Sequence, residues 1–172
     1  MPEQNKPETG VTQIQSVLDK LRTITPEVFQ ERLGAEPIDD EVGFSHIPLP
    51  EFGSVIAGDG QEYKFHVARI IPGRHVNPHV HFVGNEPYRI VAGEEGVMHI
   101  GTISEQTINW RPAEAKKMGD EIIVHDGEVH SFENTGGTTV DFTFACPDSH
   151  LDSTMDRQMT TNLQNSLPFY QK

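Results

Sequence analysis

The stretch that decides the fold reads GRHVNPHVHFVGNEPYRIVAG, from Gly73 to Gly93. Its first fourteen positions hold three histidines and one glutamate. In an extended strand residues two apart share a face, so His79 and His81 project together and Val80 points away. Pro78 restricts the chain just before them and marks a strand start. The FVGN loop lets the chain turn, and Glu86 opens the next run with Tyr88 and Ile90 on its face. Two imidazoles and a carboxylate converging in this way suit Zn, Fe, Mn, Ni or Cu, and would be odd for Ca or Mg.

A second run, GDEIIVHDGEVHSFEN (Gly119–Asn134), supplies what such a set still lacks. It reads as a glycine, a strand, a turn at Asp126-Gly127, and His130 at the start of another strand.

Outward from these runs, the chain from Gly43 to Pro147 is built of short segments rich in Val, Ile, Phe, Tyr and Thr, separated by Gly, Pro, Asn and Asp. A strand and a turn every ten residues or so is the pattern of a sandwich or barrel. Asn134-Thr135-Gly136-Gly137 reads as a hairpin turn. The division expected is a disordered segment 1–10, a helical segment 11–42, a β-barrel 43–147, and a C-terminal helix and tail 148–172. In the helical segment, Val11, Ile14, Val17, Leu18 and Leu21 recur at threes and fours. Thr25-Pro26 then opens a second helix whose apolar side is Val28, Phe29 and Leu33, with Gly34 as its stop. Beyond the barrel, Leu151, Met155, Met159 and Leu163 fall four apart, which predicts a helix packed on the barrel or a partner chain, ahead of an apolar LPFY tail.

At 172 residues the chain has room for one domain with a sizeable core. Its formal net charge of −13 and lack of any basic run make nucleic acid and anionic membranes poor partners. The single cysteine, Cys146, forbids an internal disulfide and fits a reducing compartment. The polar N-terminus has no apolar signal stretch, and no window has the length of a membrane span. A cytoplasmic protein is the expectation.

The first stretch resembles the first motif of the cupin superfamily, G-x5-H-x-H-x4-E-x6-G, at Gly73, His79, His81, Glu86 and Gly93. The second resembles the second cupin motif, G-x5-P-x-G-x2-H-x3-N, at Gly119, Gly127, His130 and Asn134, with His125 where the pattern has proline. The resemblance covers residues 73–134. It implies an all-β double-stranded β-helix, a jelly-roll barrel; the short flanking helices expected at both termini lie outside the resemblance. It also implies one divalent transition-metal ion held by His79, His81, Glu86 and His130, and a homodimer.

Open coordination positions on such an ion accept water, dioxygen or a pair of substrate oxygens. The expected function is therefore a metal-dependent enzyme acting on a small polar molecule, with a lean to a dioxygenase. A metal-dependent sugar or keto-acid isomerase or epimerase, and a non-catalytic small-molecule binding protein, are the alternatives. Tyr88, on the face of Glu86, and Arg69, in the strand entering the first motif, are the candidate substrate contacts, since arginine clamps carboxylate or phosphate through two hydrogen bonds. His75, His99 and His125 lie near the motifs but read as ordinary strand or surface residues, and His46, His66 and His150 carry no neighbouring signal. Cys146 reads as a small apolar residue at a strand end.

Overall fold

A computed structural model describes residues 13–166. Two antiparallel sheets of six strands each face one another. The first sheet holds β1 (Phe44–Pro48), β2 (Ser54–Ile56), β3 (Glu62–Ile70), β5 (Glu86–Ala92), β9 (Glu121–Val124) and β11 (Val140–Cys146). Their order is β1-β3-β11-β5-β9, with β2 also against β3. The second sheet holds β4 (His79–Val80), β6 (Glu95–Ser104), β7 (Thr107–Trp110), β8 (Glu114–Lys117), β10 (Val129–Glu133) and β12 (Gln158–Met159). Its order is β12-β4-β10-β6-β7, with β8 against β6. This is the jelly-roll of the double-stranded β-helix, the cupin fold.

The two motifs supply the corners. Gly93 has φ +99°, and a Cβ there would sit 2.5 Å from the Thr139 carbonyl oxygen, so only glycine fits. The Asn134 side-chain amide donates to the carbonyls of Ile70 and Thr138 at 2.9 and 2.8 Å, and its oxygen accepts from Gly136 N–H. The turn after it is not a hairpin: β10 and β11 belong to different sheets, and the chain crosses between them. At the second corner, the His125 backbone N–H donates to the Glu128 carboxylate at 2.9 Å. Proline has no N–H to give, so histidine at this position trades ring rigidity for a hydrogen bond.

Two helices cover the outside of the first sheet. Helix α1 (Gln15–Leu21) buries Val17, Leu18 and Leu21, and α2 (Pro26–Ala35) buries Phe29 and Leu33. They pack with Phe65, Val67, Val91 and Ala145 into one apolar cluster. Val28 does not belong to it and is 39 % exposed, because Phe29 and Leu33, four apart, take the inner face. Nor does Gly34 stop the helix, which runs to Ala35. The stop is Pro37, since the residue before a proline is driven from the helical region and Glu36 is extended at ψ 131°.

The four-residue spacing of Leu151, Met155, Met159 and Leu163 forms no α-helix among the described residues. Residues Asp148–Leu151 make one 3-10 turn, and the chain then runs through turns into β12. Local and distant polar bonds defeat the spacing. Asp152 accepts from the N–H and hydroxyl of Thr154, the competition that melts helix starts. The Asp156 carboxylate accepts from Phe82 N–H and Val83 N–H, both at 2.9 Å, tying the segment across the barrel mouth. Met155 is consequently 68 % exposed. Val11, the 1–10 segment and the LPFY tail lie outside the described residues. Among the described residues no helix is long and apolar enough to cross a membrane.

Candidate metal centre

His79 and His130 are directly opposite one another in the β4–β10 pair, so the two sequence motifs meet in one ladder. Glu86 comes from the facing sheet, at the first position of β5. The carboxylate thus reaches the imidazoles across the barrel interior and not from a neighbouring strand. His81 sits just past β4, where its carbonyl accepts from Gly127 N–H at 2.7 Å. The ligand atoms of His79, His81, Glu86 and His130 all lie within 4.8 Å of one another, and all four residues are buried.

The tautomers follow from the hydrogen bonds. His79 Nδ1 lies 2.8 Å from the Asn77 carbonyl and His130 Nδ1 lies 3.1 Å from the Glu128 carbonyl. A carbonyl only accepts, so each Nδ1 carries the proton and each Nε2 keeps its lone pair. His130 Nε2 is buried and has no hydrogen-bond partner among the described residues. A backbone carbonyl fixing one ring nitrogen while the other is left bare is the arrangement of metal-ligating histidine. Burial drives the His130 pKa down to about 4 and that of His79 well below the usual value, so both rings are neutral lone-pair donors at pH 7. The donor set and its orphaned nitrogen fit a divalent transition metal.

Glu86 is held by more than the motif. Its Oε1 accepts the hydroxyl of Tyr88, and its Oε2 faces His150 Nδ1 at 2.8 Å and His81 Nε2 at 3.2 Å. Burial alone would raise the carboxyl pKa, but the bonds from His150 and His81 outweigh it and hold the group ionised. Burial opposes charge on His150 too, and there the Glu86 carboxylate reverses the balance and raises its pKa. Burial and the charge of Glu86 push the Tyr88 phenol well up, so it stays a neutral donor.

The cavity above this cluster has about 60 Å³ of free space. Phe44, Phe142 and Phe144 form its apolar wall, and His46, His150 and Arg157 its polar one. Tyr88, one expected substrate contact, also lines this cavity. Arg69, the other, does not: it lies on the outer face of β3 and is clamped by Asp141 at 2.7 and 2.8 Å. Their registered pairing across β3 and β11 explains the error: a one-residue change of phase exchanges the faces of a strand. His99 also faces outward, bonded to Glu133 at 3.1 Å, and the His125 ring bonds Asn85. His75 is buried opposite Glu133. Cys146 is fully buried, and burial pushes its thiol well up, as befits a packing residue.

Sequence reasoning missed His150, whose ring stacks on His81 at 3.9 Å, as well as His46 and Arg157. One sequence signal for Arg157 exists. It is the only lysine or arginine between Lys117 and Lys172.

No family model matches the chain, and no curated protein matches it in sequence. Among solved structures it is similar to an oxalate oxidase in complex with the substrate analogue glycolate, at 14 % identity and TM-score 0.52. That match covers 74 % of this chain and 57 % of the other, so this chain spans little more than half of the oxalate oxidase. It is similar to Peruvianin-I, a cysteine peptidase from Thevetia peruviana latex, at 12 % identity and TM-score 0.51, covering 82 % and 78 %. A sugar phosphate isomerase from a cupin superfamily, from Silicibacter pomeroyi, shares 19 % identity over 60 % of this chain and 58 % of its own, at TM-score 0.43, too distant to argue from. The likeness is one of fold.

Proposed function

We propose that this chain is a metal-dependent cupin enzyme that acts on a small polar molecule, with His79, His81, Glu86 and His130 holding one divalent ion of Fe, Mn, Ni, Cu or Zn. The observation that carries the reading is the buried meeting of those four side chains, with His130 Nε2 lacking a partner among the described residues. A bound ion of this kind supplies Lewis acidity and, where it is redox-active, access to dioxygen chemistry.

The chain's own residues do the rest. Tyr88 and His150 each donate to one oxygen of Glu86, which fixes the orientation of the carboxylate before any ligand arrives. The phenylalanine wall keeps bulk water from the polar cluster, which strengthens every charge interaction inside. The free space of about 60 Å³ compares with the roughly 10–15 Å³ one water needs, so a molecule of a few heavy atoms fits better than a sugar.

A dioxygenase is the favoured reaction class, because among the described residues Glu86 is the one carboxylate lining the cavity and it is already committed. A second reading, isomerisation by proton transfer, draws on His46. Burial lowers its pKa, leaving a neutral base in the cavity wall at pH 7.

Elemental analysis of protein supplemented with each metal tests the centre: one ion per wild-type chain is expected, and most of it lost in His81→Ala. Wild-type protein that takes up none of the five metals sinks the proposal. Anaerobic loading with Fe(II), then exposure to oxygen with enediol, thiol and diketone candidates, tests the class. Oxygen uptake abolished by Glu86→Ala supports the dioxygenase. Proton exchange into keto acids without oxygen uptake moves the assignment to isomerase. A ligand bound and released unchanged makes the protein a binding module.

A further inference from the structure

Arg157 is the feature of the cavity that the metal centre does not use. It sits on the segment that crosses the barrel mouth, and its position is fixed from both sides. Asp156, one residue before it, accepts from Phe82 N–H and Val83 N–H. Beyond it, β12 pairs with β4 with Met159 opposite His79. The Thr160 hydroxyl donates to the Pro78 carbonyl at 3.1 Å. The segment carrying the arginine is therefore stitched to the segment carrying the histidine ligands.

So placed, Arg157 lines the cavity with Phe44, Phe142 and Phe144. Among the described residues its guanidinium makes no hydrogen bond and no ion pair, and its Nε is buried. The residue as a whole is half-buried, but leaving even one buried donor nitrogen without a partner is costly. The contrast with Arg69 is direct, since that guanidinium has a carboxylate on two of its nitrogens. A chain this acidic has acceptors to spare, at a net charge of −13, yet among the described residues no carboxylate forms an ion pair with Arg157. Guanidinium presents a planar fork that matches a planar pair of oxygens. The phenylalanines offer an apolar wall beside that fork, and the free space of about 60 Å³ limits the ligand to a few heavy atoms.

We propose that Arg157 anchors the carboxylate of a small organic acid in this cavity, with the rest of the acid lying against the phenylalanine wall and toward the His/Glu cluster. The proposal rests on the cavity being the ligand site of the reading above and names the class of ligand that site takes.

The test is calorimetric titration of metal-loaded wild-type protein with acetate, glycolate and propionate, with acetamide, glycolamide and propionamide as neutral controls. At least one acid should bind and its amide should not. Arg157→Gln should weaken the acid roughly tenfold to a hundredfold, the worth of hydrogen bonds to a charged group, and leave metal content at one ion per chain. Arg157→Lys keeps the charge and loses the fork, so it should recover part of the affinity. Should Arg157→Gln fold poorly, Arg157→Lys carries the comparison alone. Equal binding of acid by wild type and variant overturns the proposal. So does binding of amide as tightly as acid, of inorganic phosphate more tightly than any acid, or of no acid at millimolar concentration. If wild-type protein proves to take no metal, the metal reading fails, and the same titrations on metal-free protein still decide the role of Arg157.

Discussion

On one face of β3, Tyr63, Phe65 and Val67 are buried against the helices. On the other, His66 lies 3.1 Å from His46 and stacks on Phe144, while Ala68 and Ile70 pack into the barrel interior. The outer layer is apolar, and Arg69 and Asp141 pair with each other on the same side of the sheet. The inner one keeps polar atoms without partners. Five buried side-chain nitrogens and oxygens have none among the described residues, and four of them belong to His66, His81, His130 and Arg157. Folded proteins tolerate few such groups, and here four of the five gather on the barrel side of β3. The outer face packs apolar side chains; the inner face gathers the polar groups of the candidate metal centre.

That division is broken most severely on the outer side. Phe65→Ala removes a fully buried ring from the helix–sheet cluster and should cost about 3–5 kcal/mol in denaturant unfolding. Protein that remains folded should still carry its full metal. A loss of metal in folded Phe65→Ala protein would show that the two interiors are coupled.

The inner side has its own signature, which is acid sensitivity. His66 is buried with Nε2 unpartnered, and burial lowers its pKa from 6.5 to about 4. The charged and titratable groups that act on it are His46, Glu86, Asp148 and Lys64. Above pH 6.5 the ring is neutral in both states and contributes nothing. Between pH 6.5 and about 4 the unfolded chain takes up a proton that the native ring refuses, so stability falls by about 1.4 kcal/mol per pH unit for this one group. Below the folded pKa the loss levels off. His66→Phe should match wild type near pH 7.5 and lose stability more gently on acidification, by about that slope, in unfolding curves at successive pH values. Parallel curves for the two proteins would mean that His66 is not held neutral.

How much of this could be read in advance differs between the two faces. His79, His81, Glu86 and His130 were legible because strand period and turn glycines fix their spacing within two continuous runs. The helix seam was legible at Val17, Leu18, Leu21, Phe29 and Leu33 for the same local reason. Arg69 was not, because Phe65 to Ala68 are all buried, one pair under the helices and the other toward the barrel, and alternation gives no phase where both faces are covered. His150 and Arg157 reach the cavity only through bonds to Val83, Phe82 and Pro78, some eighty residues earlier at the longest. No local pattern encodes such bonds, and the methionine spacing of the same segment argued for a helix.

The smallest expected effect belongs to Arg69, and it sharpens the comparison most, because it sets one arginine against the other. Arg69 makes a bidentate pair with Asp141, with side chains 23 % and 8 % exposed. Arg69→Gln leaves the Asp141 carboxylate with one weak donor in place of two charged ones. Partial exposure lets water and salt recover some of the loss, so the cost should be roughly 1–2 kcal/mol of stability. The side chain lies across β3 from the cavity, so binding of small carboxylates and metal content should both stay at wild-type values. Arg157→Gln should behave in the opposite way, losing the acid while folding about as well as wild type, because it removes a half-buried guanidinium whose Nε has no partner among the described residues. Paired measurements of unfolding and of acid binding on the two variants decide the matter. Loss of acid affinity in Arg69→Gln as large as that in Arg157→Gln would mean that the faces of β3 do not divide the work of the molecule.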